Sequence, residues 1–296
     1  ANQVTLAVSR NGSSFVDVAA TGNQRRLASA LLRNGAAGDT LRNEILNLDT
    51  AGVRAAYDSL SGEIHASTAS AILEDSRYIR DAVNDRMRQP SCSGPDDPRR
   101  ALAPSDNQLS SNGCHGEMVG WMRALGAWGE SDGDSNSASL DRNLSGFILG
   151  TDKQLDDQWR VGMAAGYTRS DIDASDRRSD ATVESYHLAA YLNSQFDALA
   201  VRLGAAYSWH RADVKRDLQY GDVSGKQKAK VDAATTQVFG EAAYRLHLQP
   251  LALEPFANFA YVHLDTEGLT EKGDAAALKS SGDQRDAVLS TLGVRA

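Results

Sequence analysis

The sequence lacks any run of about 18 uncharged apolar residues, so a membrane-crossing helix is excluded. Mean hydropathy is −0.42. A membrane β-barrel remains open, because barrel strands need apolar residues only at alternate positions. Basic charge is short: 31 Lys and Arg stand against 39 Asp and Glu, a net charge of −8. That balance argues against nucleic acid as a main partner. The start, ANQVTLAVSRN, has neither the basic flank nor the apolar core of a secretory signal. It reads as a processed end or an internal start. Cysteine is limited to Cys92 and Cys114, which flank a Pro- and Ser-rich loop. In an oxidising compartment they can close that loop as a disulfide; elsewhere they are isolated thiols.

Catalytic signatures are missing as well. GDVSG at Gly221–Gly225 has the wrong spacing for a nucleophile elbow. No H-E-x-x-H, P-loop or dinucleotide fingerprint occurs. His65, His115, His187, His210, His247 and His263 are scattered without ligand spacing. DGDSN at Asp132–Asn136 loosely resembles a calcium loop, but Ser137 takes the required Gly position and Asn143 that of the bidentate Glu. It reads as a solvated loop. No catalytic residue, metal or cofactor is expected in this chain.

What is present divides into two halves with different periods. Residues 1–23 read as short extended pieces, with Val4, Leu6 and Val8 alternating. From Asn23 to Met87 the pattern is helical. NQRRLASALLRN ends at Gly35, DTLRNEILNL follows with Asp39 as N-cap, and DTAGVRAAYDSLSGE comes next. The longest helix is expected over 66–88. There Ile72, Ile79 and Val83 make a narrow apolar stripe, with Arg77, Arg80, Asp81, Asp85 and Arg86 around the rest. Such a stripe is thin for a soluble bundle and adequate inside a water-filled, charged channel. Residues 89–116 are a linker by composition.

Beyond the linker the period becomes two. About eight strands are expected, over 117–130, 143–153, 158–169, 182–193, 198–212, 232–248, 250–265 and 285–296. In WRVGMAAGYT, Trp159, Val161, Met163, Ala165 and Tyr167 share one face, and Arg160, Gly162, Ala164, Gly166 and Thr168 share the other. A soluble sandwich or lipocalin-like barrel would turn that small, uncharged Gly/Ala face to water. Links also alternate, long ones such as SDIDASDRRSDA and DVKRDLQYGDVSGKQKAKV with tight ones such as NSQFD. An up-and-down transmembrane barrel has this pattern. Its aromatics Trp159, Tyr167, Tyr207, Trp209 and Tyr244 would face lipid. Arg160, Gly162, Gly166, Arg202, Gly204, Glu241 and Arg245 would line a lumen.

AYDSLSGEIHAS, DSRYIRDAV, WMRALGAWG, GFILGTDKQL, SYHLAAYLN, LALEPFANFAYV and TLGVRA, in this order, resemble the C-terminal translocator of autotransporters, the type V secretion proteins of Gram-negative bacteria. The start is similar to the passenger end of subtilase-type members. The resemblance implies an all-β transmembrane barrel with N-terminal helices, about a dozen strands, and an α-helix in the lumen. Residues 1–50 would then be the passenger end and connecting segment, and 51–88 the helical linker, with Arg77, Arg80, Asp81 and Arg86 on the lumen helix. Residues 89–116 would be a periplasmic loop and 117–296 the barrel, about four strands short of closure. A complete small barrel with helices outside is the rival, since about eight strands leave no room for a helix.

The role implied is export and outer-membrane anchoring of an upstream passenger displayed at the cell surface. A passive porin and a soluble ligand-binding barrel are the alternatives. Implied partners are outer-membrane lipid, the passenger, the barrel-insertion machinery and periplasmic chaperones; the translocator would be monomeric. A passenger enzyme, of serine-protease type, would have its active site outside this sequence. Some relatives cleave their passenger inside the lumen, for which Asp75, Asp81, Asn84, Glu241 and Glu254 are candidates. Ion pairs holding the helix are the favoured role for these groups.

Overall fold

The computed structural model describes residues 12, 14–33, 35–89, 108–110, 118–248, 251–274 and 276–296. Val4, Leu6 and Val8, and both Cys92 and Cys114, lie outside the described residues.

The chain begins with helices α1 (Phe15–Val18), α2 (Gly22–Arg33), α3 (Gly35–Ile45), α4 (Thr50–Leu60) and α5 (Glu63–Arg88). Two expectations fail here. The segment read as extended up to residue 23 turns helical at Phe15, where Ser14 and Asp17 form a reciprocal capping box. Asp39 is not an N-cap: α3 starts four residues earlier and Asp39 lies inside it, paired with Arg42. Asp49 does cap α4, accepting from the Gly52 N–H at 2.7 Å. Helix α5 spans 26 residues, or roughly 39 Å.

The strands are β1 (Gln108–Ser110), β2 (Met118–Ser131), β3 (Leu140–Gln154), β4 (Trp159–Ala174), β5 (Ser179–Phe196), β6 (Leu199–Tyr220), β7 (Val223–Tyr244), β8 (Leu246–Leu248), β9 (Leu251–Thr266), β10 (Leu269–Thr270), β11 (Lys279–Ser280) and β12 (Asp283–Arg295). They form an antiparallel meander, β1-β2-β3-β4-β5-β6-β7-β9-β12, with β8 on β9 and β10–β11 as a separate ribbon. The eight long strands match the expected ones. Among the described residues the sheet does not close: β12 bonds only to β9, and the other edge of β2 carries only β1. Helix α5 lies along the concave face, against β4, β5, β6, β7 and β9.

Two stretches read as long loops are strand instead. DVKRDLQYGDVSGKQKAKV continues β6 and β7 up to a two-residue turn at Gly221 and Asp222, with Gly221 at φ +52°. SDIDASDRRSDA continues β4 and β5 around a short 3₁₀ turn, with Arg178 left-handed. The cause is a change of polarity without a change of period. Past Trp209, Asp213, Lys215 and Asp217 point outward, while Ala212, Val214 and Leu218 are buried inward. Among the described residues, 132–139 and 267–282 remain as the substantial links on that side, so the long–short alternation holds in part.

Apolar burial falls in three levels. At one end of α5, Ile79, Ala82, Val83 and Met87 pack on Trp121, Ile148, Tyr191 and Phe239. In the middle, Ile64, Ala71 and Ile72 meet Ile172, Val214 and Leu264. At the far end, α1–α4 enclose Phe15, Leu31, Ile45 and Tyr57 and seat on Leu218 and Tyr220 of the β6–β7 hairpin.

Candidate functional site: the helix and its seat

The convex face of the sheet is apolar over one band. On β6, Leu199, Leu203, Tyr207 and Trp209 are exposed, while Ala200, Arg202, Ala206, Ser208 and His210 are buried beneath α5's side of the sheet. Ten residue steps at ~3.4 Å, tilted ~40°, give a band ~26 Å tall. Met163, Leu188, Val238, Phe259, Val288 and Leu292 extend it across the sheet, each half or more exposed. Trp159, Tyr167 and Tyr244 lie on the same convex face. Trp159 meets Phe196 edge-on at 5.8 Å, Tyr167 lies 5.3 Å from Tyr186, and Tyr207 lies 4.7 Å from Trp209. Above the band the convex face carries surface ion pairs, Arg211–Asp232 at 3.4 Å, Lys230–Asp213 at 3.3 Å and Lys215–Asp180 at 3.3 Å.

The concave face is polar at the height of this band, and its groups converge on α5. Arg86 makes a bidentate pair with Asp152 at 2.6 and 2.9 Å. Tyr191 also donates to Asp152 at 2.8 Å and accepts from Trp121 Nε1 at 2.7 Å. Arg160 donates to the Arg86 and Met87 carbonyls at 3.1 and 2.7 Å, capping the C-terminal turn of α5 from the wall. Arg88 reaches Glu241 at 2.5 Å, and Glu241 also holds Arg202 and Arg295, each at 2.7 Å. Arg245 lies on the rim, 3.5 Å from Glu254. Higher up, Arg80 donates to Gln237 at 3.1 Å, and Gln237 donates to the Ser76 carbonyl at 3.0 Å.

The helix residues singled out from sequence divide between two sides. Arg80 and Arg86 turn to the sheet. Arg77 and Asp81 are exposed on the open side, Arg77 bonding Tyr78 at 3.0 Å beside a cleft of about 470 Å³ shared with Trp128 and Arg142. Asp75, Glu241 and Glu254 all sit in ion pairs, Asp75 with Arg142 at 2.9 Å. Two of the inward glycines sit against neighbouring rings. A Cβ on Gly162 would meet the Tyr191 ring at 2.3 Å, and one on Gly204 the Phe239 ring at 2.3 Å. They make room for neighbouring wall rings, which in turn touch α5. Gly166 faces Ile148 and the Phe147 carbonyl, each 2.8 Å from its Cβ position.

Sequence reasoning missed Trp121, Asp152, Tyr191 and Gln237. Their position on the inward parity of their strands was the available signal. It also missed a second cluster at the far end of α5. Arg216 pairs bidentately with Glu271 at 2.8 and 2.7 Å, both about 1% exposed, and donates to the Ser61 carbonyl at 3.0 Å. His65 lies 2.7 Å from the same carboxylate, and the Leu278 N–H donates to it at 2.9 Å. Burial pushes the Glu271 carboxyl up, but the bonds from Arg216, His65 and Leu278 outweigh it and hold it down to about 2. The 267–282 loop is thereby latched over the α4–α5 joint. Burial likewise raises Tyr57, whose hydroxyl donates to the Phe15 carbonyl at 2.8 Å, to about 12.

The chain is similar to known proteins. The sequence model of the autotransporter beta-domain matches residues 120–296. An extracellular serine protease of Serratia marcescens is 40% identical over 237 residues, covering 80% of this chain and 21% of that protein. The esterase EstA of Pseudomonas aeruginosa is 27% identical over 174 residues, 56% of this chain and 27% of its own length. This chain thus spans about a fifth to a quarter of the length of these curated relatives. The translocator domain of autotransporter NalP from Neisseria meningitidis superposes with a TM-score of 0.56 at 13% identity, over 78% of this chain and 70% of that one. The chain therefore belongs to the autotransporter family, and its sheet and helix are an outer-membrane translocator of Gram-negative bacteria that serves a passenger.

Proposed function

We propose that α5 is the tether and plug of the translocation lumen, seated as it remains after a passenger has crossed. The observation that carries this reading is the pairing of a buried helix on a polar concave face with a convex apolar band of membrane height. In this reading Arg160, Gly162, Gly166, Arg202, Gly204, Glu241 and Arg245 line the lumen. Trp159, Tyr167, Tyr207, Trp209 and Tyr244 meet lipid. The sheet edges at β1–β2 and β12 take further strand pairing in the membrane, because unpaired backbone groups have no partner in lipid.

Residues 1–50 are the passenger end and connector, 51–88 the helical linker, 89–116 a periplasmic loop and 117–296 the barrel wall. The 40% identity to a Serratia extracellular serine protease supports a secreted protease as the passenger. Periplasmic chaperones and the barrel-insertion machinery deliver the domain, which works as a monomer.

The test uses the full-length protein in intact cells. Surface protease shaving should release the passenger, and Ile79→Asp, which breaks the apolar stripe of α5, should admit an antibiotic normally excluded by the outer membrane. A passenger retained in the periplasm, or unchanged permeability in the variant, contradicts the reading.

A further inference from the structure

Around the Trp159 end of α5, wall and helix guanidiniums share the carboxylates of Asp85, Asp152, Glu241 and Glu254. Arg86, Arg88, Arg123, Arg202, Arg245 and Arg295 each lie within salt-bridge distance of one of these. Arg160 differs: it is 1% exposed and forms no salt bridge among the described residues. Its Nη2 is taken by the Arg86 and Met87 carbonyls, while Nε and Nη1 have no partner. Arginine cannot shed its proton, and the Asp152 carboxylate that acts on Arg160 is itself paired with Arg86, so this buried cation is only partly compensated, which is costly.

The neighbours of Arg160 share this incompleteness. Cross-strand register sets Gln154, Arg160, Asn193, Arg202 and Glu241 in one row across β3 to β7. Within that row, Gln154 Oε1, Asn193 Oδ1 and Arg202 Nε are also buried and unpartnered. Two strand spacings separate the Arg160 and Arg202 backbones by ~10 Å, with Asn193 between them. Two guanidiniums flanking a carboxamide at that spacing suit a small oxyanion, which accepts from the guanidiniums. If the anion is protonated, its O–H donates to a carboxamide oxygen.

We propose that the row Arg160–Asn193–Arg202 is an anion site for a phosphate-sized inorganic oxyanion, which adds to the counter-charge that Asp152 and Glu241 share among several guanidiniums where α5 ends. Binding there neutralises Arg160 without drawing on the carboxylates that hold the helix.

Thermal unfolding of the full-length protein in zwitterionic detergent, with inorganic phosphate titrated at constant ionic strength against sodium gluconate, tests this. The expected result is a saturable rise in Tm, with apparent affinity weakened tenfold or more in Arg160→Met. Asn193→Asp places a carboxylate in the row. It should raise Tm in the absence of phosphate and abolish the phosphate response, which decides the matter even if Arg160→Met does not fold. A wild-type Tm indifferent to phosphate, or a response kept undiminished in Asn193→Asp, overturns the site.

Discussion

Strand β6 can be compared with itself. From Leu199 to Trp209 its outward residues are apolar and its inward ones include Arg202, Ser208 and His210; from Arg211 to Gln219 its outward residues are Arg, Asp, Lys, Asp and Gln, and its inward ones include Ala212, Val214 and Leu218. The backbone, register and period are continuous across the change. What differs is the solvent on the convex side. Where that side meets hydrocarbon, apolar side chains belong outside and charge must be enclosed and paired. Where it meets water, the ordinary arrangement of a soluble sheet returns. Secondary structure therefore follows the period, and the environment follows the phase of polarity upon it.

The largest expected effect separates enclosed from exposed charge. Asp152→Ala leaves Arg86 buried without a carboxylate and should cost about 3–5 kcal/mol. Asp180→Ala, in the exposed pair with Lys215, should cost about 0–1 kcal/mol. Urea unfolding in detergent reads both.

The second compares outward positions. Leu203→Arg, near the middle of the band, should destabilise the inserted protein by about 2–4 kcal/mol. Gln219→Arg, beyond it, loses only an exposed hydrogen bond from Arg178 and should cost about 0–1 kcal/mol. Folding into lipid vesicles measures the difference. The third concerns wall rings. Gly162→Val drives a methyl into Tyr191 and should cost about 1–3 kcal/mol; a Tyr191→Ala background should relieve most of it.

The smallest effect is local and lies in the latch beyond the band. Because the Glu271 carboxyl is held at about 2 in the folded protein against its ordinary 4.5, its contribution is complete above pH 4.5 and lost as pH falls towards 2. Hydrogen exchange across 267–282 should quicken over that window. Glu271→Gln should exchange quickly at every pH.

Much of this was legible in the sequence, and the failures share a cause. The eight strands, α5 and the two faces of WRVGMAAGYT follow from period and side-chain size alone. The long arms of β6 and β7 were hidden because Lys226, Lys228 and Lys230 suggest a solvated loop when the alternation with Ala229 and Val231 is given less weight than the charge. The seat of α5 was half visible. Arg202 and Glu241 were evident on inward parity, but Asp152 and Tyr191 acquire their role from a helix some 66 and 105 residues earlier, at Arg86. The need for Gly162 was evident as small size, while its cause, a ring on the neighbouring strand, depends on register. The latch was not legible at all, since Arg216 and Glu271 meet only when the 267–282 loop folds back on Ser61 and His65.

The central claim is the change of phase along β6. Single spin labels at the odd positions from 199 to 219, in full-length protein in lipid vesicles, report oxygen against aqueous relaxant accessibility site by site. Labels at 199 to 209 should favour oxygen and labels at 211 to 219 the aqueous relaxant, with the switch between Trp209 and Arg211. Uniform aqueous accessibility along the whole strand would contradict it.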